Sequence, residues 1–124
     1  MRALVLDDSR TVRLIIGKIL AGLGIEVVEA GNGREGLDRL RETPGLGLVL
    51  VDWNMPEMNG LEFITAVRAT RAYDPVRLVM VTTETEQEQV VRALDAGADE
   101  YVMKPFTKDI LVAKLSLLDI VGGA

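Results

Sequence analysis

The 124-residue chain contains neither cysteine nor histidine. Without cysteine there can be no disulfide and no thiolate metal site, and the redox compartment is unmarked. Aromatic residues make up only 4% of a chain that is 48% apolar, so the core must be built from aliphatic side chains. Basic residues are outnumbered, fourteen to nineteen, for a net charge of -5. That balance argues against a nucleic-acid surface, where phosphate contacts need clustered Lys and Arg. No apolar run approaches the roughly 18–20 residues of a membrane span. The opening MRALVLDD is too short and too acidic for a signal peptide. These exclusions leave a soluble, cytoplasmic chain, with residues 1–124 expected to form a single domain. That length buries roughly two-thirds of the unfolded surface.

What is present is an alternation. Short apolar runs at Ala3–Leu6, Ile25–Val28, Leu48–Val51, Leu78–Val81 and Tyr101–Met103 predict five strands. Helical spacing fills the gaps between them. Val12, Ile15, Ile16, Ile19, Leu20 and Leu23 mark the first helix, Leu37 and Leu40 the second, and Leu61, Ile64 and Val67 the third. Val90, Val91 and Leu94 mark the fourth; Ile110, Leu111, Lys114, Leu115 and Leu118 mark the fifth. Gly24, Gly45 and Gly97 stand where helices should stop. Such alternation predicts an α/β fold, a doubly wound five-stranded parallel sheet flanked by five helices. ALVL, LVLV and LVMV are unbroken, as strands covered on both faces must be, whereas IEVVEA and DEYVMK carry charges. The second and fifth strands therefore belong at the edges, in the order 2-1-3-4-5. No repeat, low-complexity tract or linker is evident apart from the terminal Gly122-Gly123-Ala124.

In that order the winding reverses between strands one and three, and ligands bind outside the carboxyl ends of strands flanking such a point. Strand one runs into Asp7-Asp8, and strand three, in LVLVDWNMPEMNG, runs into Asp52. Asp8 or Ser9 could serve only to cap the first helix. Three carboxylates in one crevice, however, repel by roughly 1–4 kcal/mol per pair, a cost that a bound cation removes. An all-oxygen donor set points to Mg²⁺, or Mn²⁺, rather than zinc. Mg²⁺ commonly accompanies phosphate, and the other strand ends supply matching donors: the Thr82 hydroxyl and the Lys104 ammonium. A cis bond to Pro105 would aim that ammonium inward, although X-Pro bonds are mostly trans.

Asp7-Asp8, Asp52 within DWNMPEMNG, Thr82-Thr83 and Lys104-Pro105-Phe106 together resemble the receiver domain of two-component response regulators. The likeness covers essentially the whole chain and is greatest to the chemotaxis (CheY-like) type, through Trp53, Asn54, Glu84 and Tyr101. The strand order expected here is the one known for that type and for flavodoxin. The resemblance implies that Asp52 is the phosphoacceptor, taking a phosphoryl group from a sensor histidine kinase or a histidine phosphotransfer protein. It implies that Asp8, Asp52 and the backbone carbonyl of Asn54 bind Mg²⁺, with Asp7 acting through water. Lys104 would pair with the phosphoryl oxygens and Thr82 would hydrogen-bond one of them. Tyr101 would then move from an exposed to a buried rotamer, while Asn54 and Glu84 would tune phosphate lifetime. With no histidine of its own, the chain must receive phosphate from another molecule.

The implied output is a protein target at the face of helix four, strand five and helix five. Val112, Leu117 and Val121 widen the apolar arc of helix five, which fits a partner surface, a phosphorylation-dependent dimer or ordinary packing. Glu84, Glu86 and Glu88 suit the start of helix four without any functional role. Phosphotransfer and dephosphorylation would be the chain's only chemistry, so a turnover enzyme is not expected. The enzymatic alternative is a Mg²⁺-dependent aspartyl-phosphate phosphatase of the haloacid-dehalogenase type. Its D-x-D pattern meets Asn54 in the second place, and its cap domain has no room. A flavodoxin-like cofactor binder is excluded because DDSRTVR presents two acids to a phosphate. The chain could also be the receiver of a longer regulator, but the lack of an output segment favours a stand-alone one. Ser9 and Thr83 depart from the chemotaxis pattern and leave the flagellar motor open as target.

Overall fold

A computed structural model describes residues 1–83 and 87–120. Glu84, Glu86, Val121 and the terminal Gly122-Gly123-Ala124 lie outside the described residues. The strands are β1 (Arg2–Leu6), β2 (Glu26–Ala30), β3 (Leu46–Asp52), β4 (Arg77–Thr83) and β5 (Glu100–Lys104). Between and after them come α1 (Arg10–Gly22), α2 (Gly33–Glu42), α3 (Gly60–Arg68), α4 (Gln87–Ala96) and α5 (Lys108–Leu117), with a single 3₁₀ turn at Arg71–Tyr73. Every pairing is parallel, in the order β2-β1-β3-β4-β5. The expected fold is therefore present.

Successive residues of the central strands point to opposite layers, as the two-residue period of a strand requires. Leu4, Leu6, Val49, Val51, Leu78 and Met80 pack with Leu40, Phe63, Ile64, Val67 and Ala93, from α2, α3 and α4. Ala3, Val5, Leu48, Leu50, Val79 and Val81 pack with Ile16, Leu20, Leu111 and Leu115, from α1 and α5. The edge strands are the charged ones: β2 exposes Glu26 and Glu29, and β5 buries fully only Val102.

The strands extend one to two residues beyond their apolar runs, because ladder hydrogen bonding does not stop where hydrophobicity does. Gly24, Gly45 and Gly97 all have positive φ, at 80°, 79° and 117°, although Gly45 turns into β3 rather than ending α2 directly. Two helices are rotated from their expected stripes. In α4, Val90 and Ala93 face the core while Val91 and Leu94 are exposed. In α1, Ile16 and Leu20 are buried and Ile15 is 55% exposed. Apolar residues spread around a helix do not reveal which of them lies at the centre of its buried face.

Candidate functional site

Strand register brings the candidate groups to the carboxyl end of the sheet. Leu6 aligns with Ala30 and Val51, Asp52 with Val81, and Thr83 with Lys104. The residues that end β1, β3, β4 and β5 therefore emerge side by side, as the switch-point rule requires.

Asp7 follows β1 directly and is 2% exposed. Each of its polar groups has a partner. Its N–H donates to the Ala30 carbonyl at 3.2 Å, and its carbonyl accepts from Arg13 Nη1 at 2.6 Å. Its Oδ1 accepts from the Ser9 N–H at 2.9 Å and its Oδ2 from Lys104 Nζ at 3.0 Å. Asp8, next in the chain, is exposed. The capping question is settled in favour of Ser9, whose hydroxyl accepts from the Val12 N–H at 3.3 Å. Asp8 is thus not needed as the cap of α1.

Asp52 ends β3 and is 7% exposed. The loop behind it is pinned at both sides: the Trp53 N–H donates to the Val81 carbonyl, and the Gly60 N–H to the Trp53 carbonyl at 2.9 Å. A capping box between Asn59 and Glu62 fixes the start of α3. The closeness of that start to the strand explains Gly60, where a Cβ would lie 2.5 Å from the Asp52 carbonyl oxygen.

Lys104 Nζ lies between the two buried acids, 3.0 Å from Asp7 Oδ2 and 3.1 Å from Asp52 Oδ1. The peptide joining Lys104 to Pro105 is cis. Burial, and then the neighbouring Asp7 and Asp8 charges, push the Asp52 carboxyl from 3.8 up to about 6, against the pull of Lys104. Burial works against the Lys104 charge, but hydrogen bonds and attraction from Asp7 and Asp52 outweigh it and raise its pKa above 10.5. Carboxylate oxygens of Asp7, Asp8 and Asp52 fall within 4.8 Å of one another. An oxygen cluster of that size, with one exposed member, suits a hard divalent ion that retains water.

Thr82, 1% exposed, lies one residue beyond the partner of Asp52 on β4. Asn54, two residues after Asp52 in the chain, is exposed. Tyr101 is half-buried, with Lys114 Nζ 4.1 Å from its ring centre and 3.3 Å from Glu100 Oε1. The structure thus brings together Asp7, Asp8, Asp52 and Lys104. The sequence reading passed over Arg13 and Glu29, joined at 3.0 Å behind Asp7. A cation five residues after an acid pair, at the first turn of a helix, was the available signal.

The model of the response regulator receiver domain matches residues 3–116. A chemotaxis protein CheY homolog of Campylobacter jejuni (strain 81-176) is 45% identical over 123 residues, covering 98% of this chain and 93% of that protein. The CheY4 structure of Vibrio cholerae superposes with a TM-score of 0.85 at 32% identity, covering 97% of this chain and 98% of that one. A protein described as a two-component response regulator with a GGDEF domain gives 0.90 at 30% identity, with 97% of this chain matched to 50% of that one. The chain belongs to the response regulator receiver domain family. Within that family it is a CheY-like receiver, a signalling domain of two-component systems. Among the described residues no helix is long and apolar enough to cross a membrane.

Proposed function

We propose that this chain is a stand-alone, chemotaxis-type regulator that receives a phosphoryl group on Asp52 and passes the signal on by protein contact. The observation that carries the reading is the placement of Lys104 between Asp7 and Asp52, with Asp8 beside them. An isolated acidic cluster would need only solvent. A half-buried lysine across it supplies a charge that a phosphoryl group can share.

Asp8, Asp52 and the Asn54 carbonyl are the groups that would hold Mg²⁺, with Asp7 acting through water. The ion, when bound, neutralises charge on the transferring phosphoryl oxygens. The remaining work falls to the chain. Asp52 is oriented by β3 and the Gly60 contact, so one carboxylate oxygen can attack in line. The donor is a phosphohistidine of a sensor histidine kinase or a histidine phosphotransfer protein. The new P–O bond forms as the P–N bond breaks, and the imidazole leaves with the electron pair. Lys104 then shifts from the carboxylates to the phosphoryl oxygens, and Thr82 donates to one of them. Asn54 and Glu84 are assigned the tuning of acyl-phosphate lifetime against hydrolysis.

Phosphorylation adds about 1.5 to 2 negative charges. Reversing a 1:99 equilibrium takes about 5.5 kcal/mol, which two or three charge-assisted hydrogen bonds of roughly 1.5–3 kcal/mol each can supply. The response is inward movement of the Thr82 loop and burial of Tyr101, read by a target at α4, β5 and α5. Exposed Val91, Leu94, Ile110 and Leu117 on those two helices support this assignment and are also what a phosphorylation-dependent dimer would cover. A stand-alone chain is supported by the Campylobacter relative, a chemotaxis protein matched over nearly its whole length.

The test is labelling by radioactive acetyl phosphate. Wild type with Mg²⁺ should take up one base- and hydroxylamine-labile phosphoryl group, and EDTA or Asp52→Asn should abolish it. Equal label on the Asp52→Asn chain would refute the assignment. Steady turnover of a simple phosphomonoester would favour the phosphatase alternative.

A further inference from the structure

Arg13 is tied to two things at once. Its Nη1 donates to the Asp7 carbonyl at 2.6 Å, and its Nε to Glu29 Oε1 on β2 at 3.0 Å. The Asp7 carbonyl belongs to the peptide unit that joins Asp7 to Asp8. A planar peptide moves as a unit, so the bond from Arg13 sets the direction in which the backbone enters Asp8. The other end of the Asp7 residue is already fixed, through its N–H, to Ala30 of the same edge strand. The Asp8–Ser9 peptide is held by the Ser9 N–H donating to Asp7 Oδ1 at 2.9 Å, and Arg13 holds the Asp7–Asp8 peptide between these two anchors.

The chemistry of the pair matters as much as its geometry. An unbalanced guanidinium beside three carboxylates would repel a divalent cation. Glu29 neutralises it while leaving its second donor free to hold the peptide. The Arg13 side chain is only 18% exposed, whereas that of Glu29 is 41% exposed, so the charge to be balanced is the better shielded of the two.

We propose that Arg13, held and neutralised by Glu29, is a positioning residue for divalent-cation binding: it orients the Asp7–Asp8 peptide without lowering the negative potential at the carboxylates. The inference rests on the reading of Asp7, Asp8 and Asp52 as the cation site. Groups that orient metal ligands typically contribute about tenfold or more to affinity.

The experiment is calorimetric titration with MgCl₂ at pH 7.5, without any phosphodonor, on the full chain. Arg13→Met should weaken Mg²⁺ about tenfold. Arg13→Lys should fall between it and wild type, because one ammonium cannot span both partners as a guanidinium does. Glu29→Gln should also weaken binding, with a loss that shrinks in high salt, because it exposes the guanidinium charge. Adding Glu29→Gln to Arg13→Met should then cost little more. Circular dichroism and urea denaturation establish that each variant is folded; if Arg13→Met is not, the Lys and Glu29→Gln variants decide. Folded variants that bind Mg²⁺ within twofold of wild type would overturn the positioning role and leave the cation site intact. Absence of Mg²⁺ binding by wild type itself would instead overturn the cation site.

Discussion

Asp52 is surrounded by groups that pull its protonation in opposite directions. Burial and the Asp7 and Asp8 charges favour the neutral acid, Lys104 favours the anion, and the first set prevails. The native state therefore keeps the proton up to about pH 6, whereas the unfolded chain releases it near 3.8. Between those values the native state binds more protons, so stability falls as pH rises through that window. The loss of stability amounts to about 3 kcal/mol, absent below the unfolded value and fully expressed above the folded one. Asp52→Asn removes the ionisation. In EDTA its advantage over wild type should be near zero below pH 4 and grow to about 3 kcal/mol at neutral pH. Urea denaturation across that range measures it, and a difference independent of pH would refute the account. Mg²⁺ should favour the ionised carboxylate and so stabilise wild type above pH 6 more than below it.

At the scale of elements, α3 begins almost in contact with the end of β3. A methyl group at Gly60 would meet the Asp52 carbonyl oxygen at 2.5 Å, and that oxygen is backbone with nowhere to yield. Gly60→Ala should cost about 1–3 kcal/mol, as overpacking does. It should also displace Asp52, and an ångström of misplacement can cost about a hundredfold in rate. Slow acetyl-phosphate labelling of a folded Gly60→Ala chain is the expected outcome; labelling at the wild-type rate would show that α3 does not position the acid. Much of this element was legible beforehand. LVLV is apolar at every position because β3 is covered on both faces, so an acid at its exit stood out. Glu26 and Glu29 likewise marked β2 as an edge. The rotation of α4 was not legible, because Val91 and Leu94 carry as much apolar character as Val90, and only packing distinguishes them. Nor could spacing show that Asp7, rather than Asp8, is the buried acid bonded to Lys104. That depends on which way one peptide turns at the end of β1, and Arg13 reaches it from another element.

Over the whole molecule, the two ends of the sheet are built for different purposes. The carboxyl end gathers unfavourable charges around Asp52. The opposite end gathers a favourable set around Arg68, the last residue of α3. Its guanidinium donates to the carbonyls of Gly97 at 2.9 Å, Tyr73 at 3.1 Å and Val76 at 2.7 Å, and to Asp99 Oδ2 at 2.9 Å. Asp99 Oδ2 also accepts from the Leu78 N–H at 2.8 Å, so one ion pair joins α3, the lead into β4 and the turn between α4 and β5. Breaking a fully buried pair costs about 3–5 kcal/mol; here the side chains keep about a fifth of their exposure, which reduces Arg68→Met to about 2–3 kcal/mol. For a domain of this size that lowers the midpoint of thermal unfolding by about 10 °C. The clamp contacts none of the acids at the other end, so room-temperature labelling of Asp52 in the folded variant should stay within about twofold of wild type, since well-separated sites act additively. An unchanged midpoint would mean that the clamp contributes no stability. A tenfold loss of labelling in a folded variant would mean that strain crosses the sheet from one end to the other, and that α3, which begins at Gly60 and ends at Arg68, transmits it.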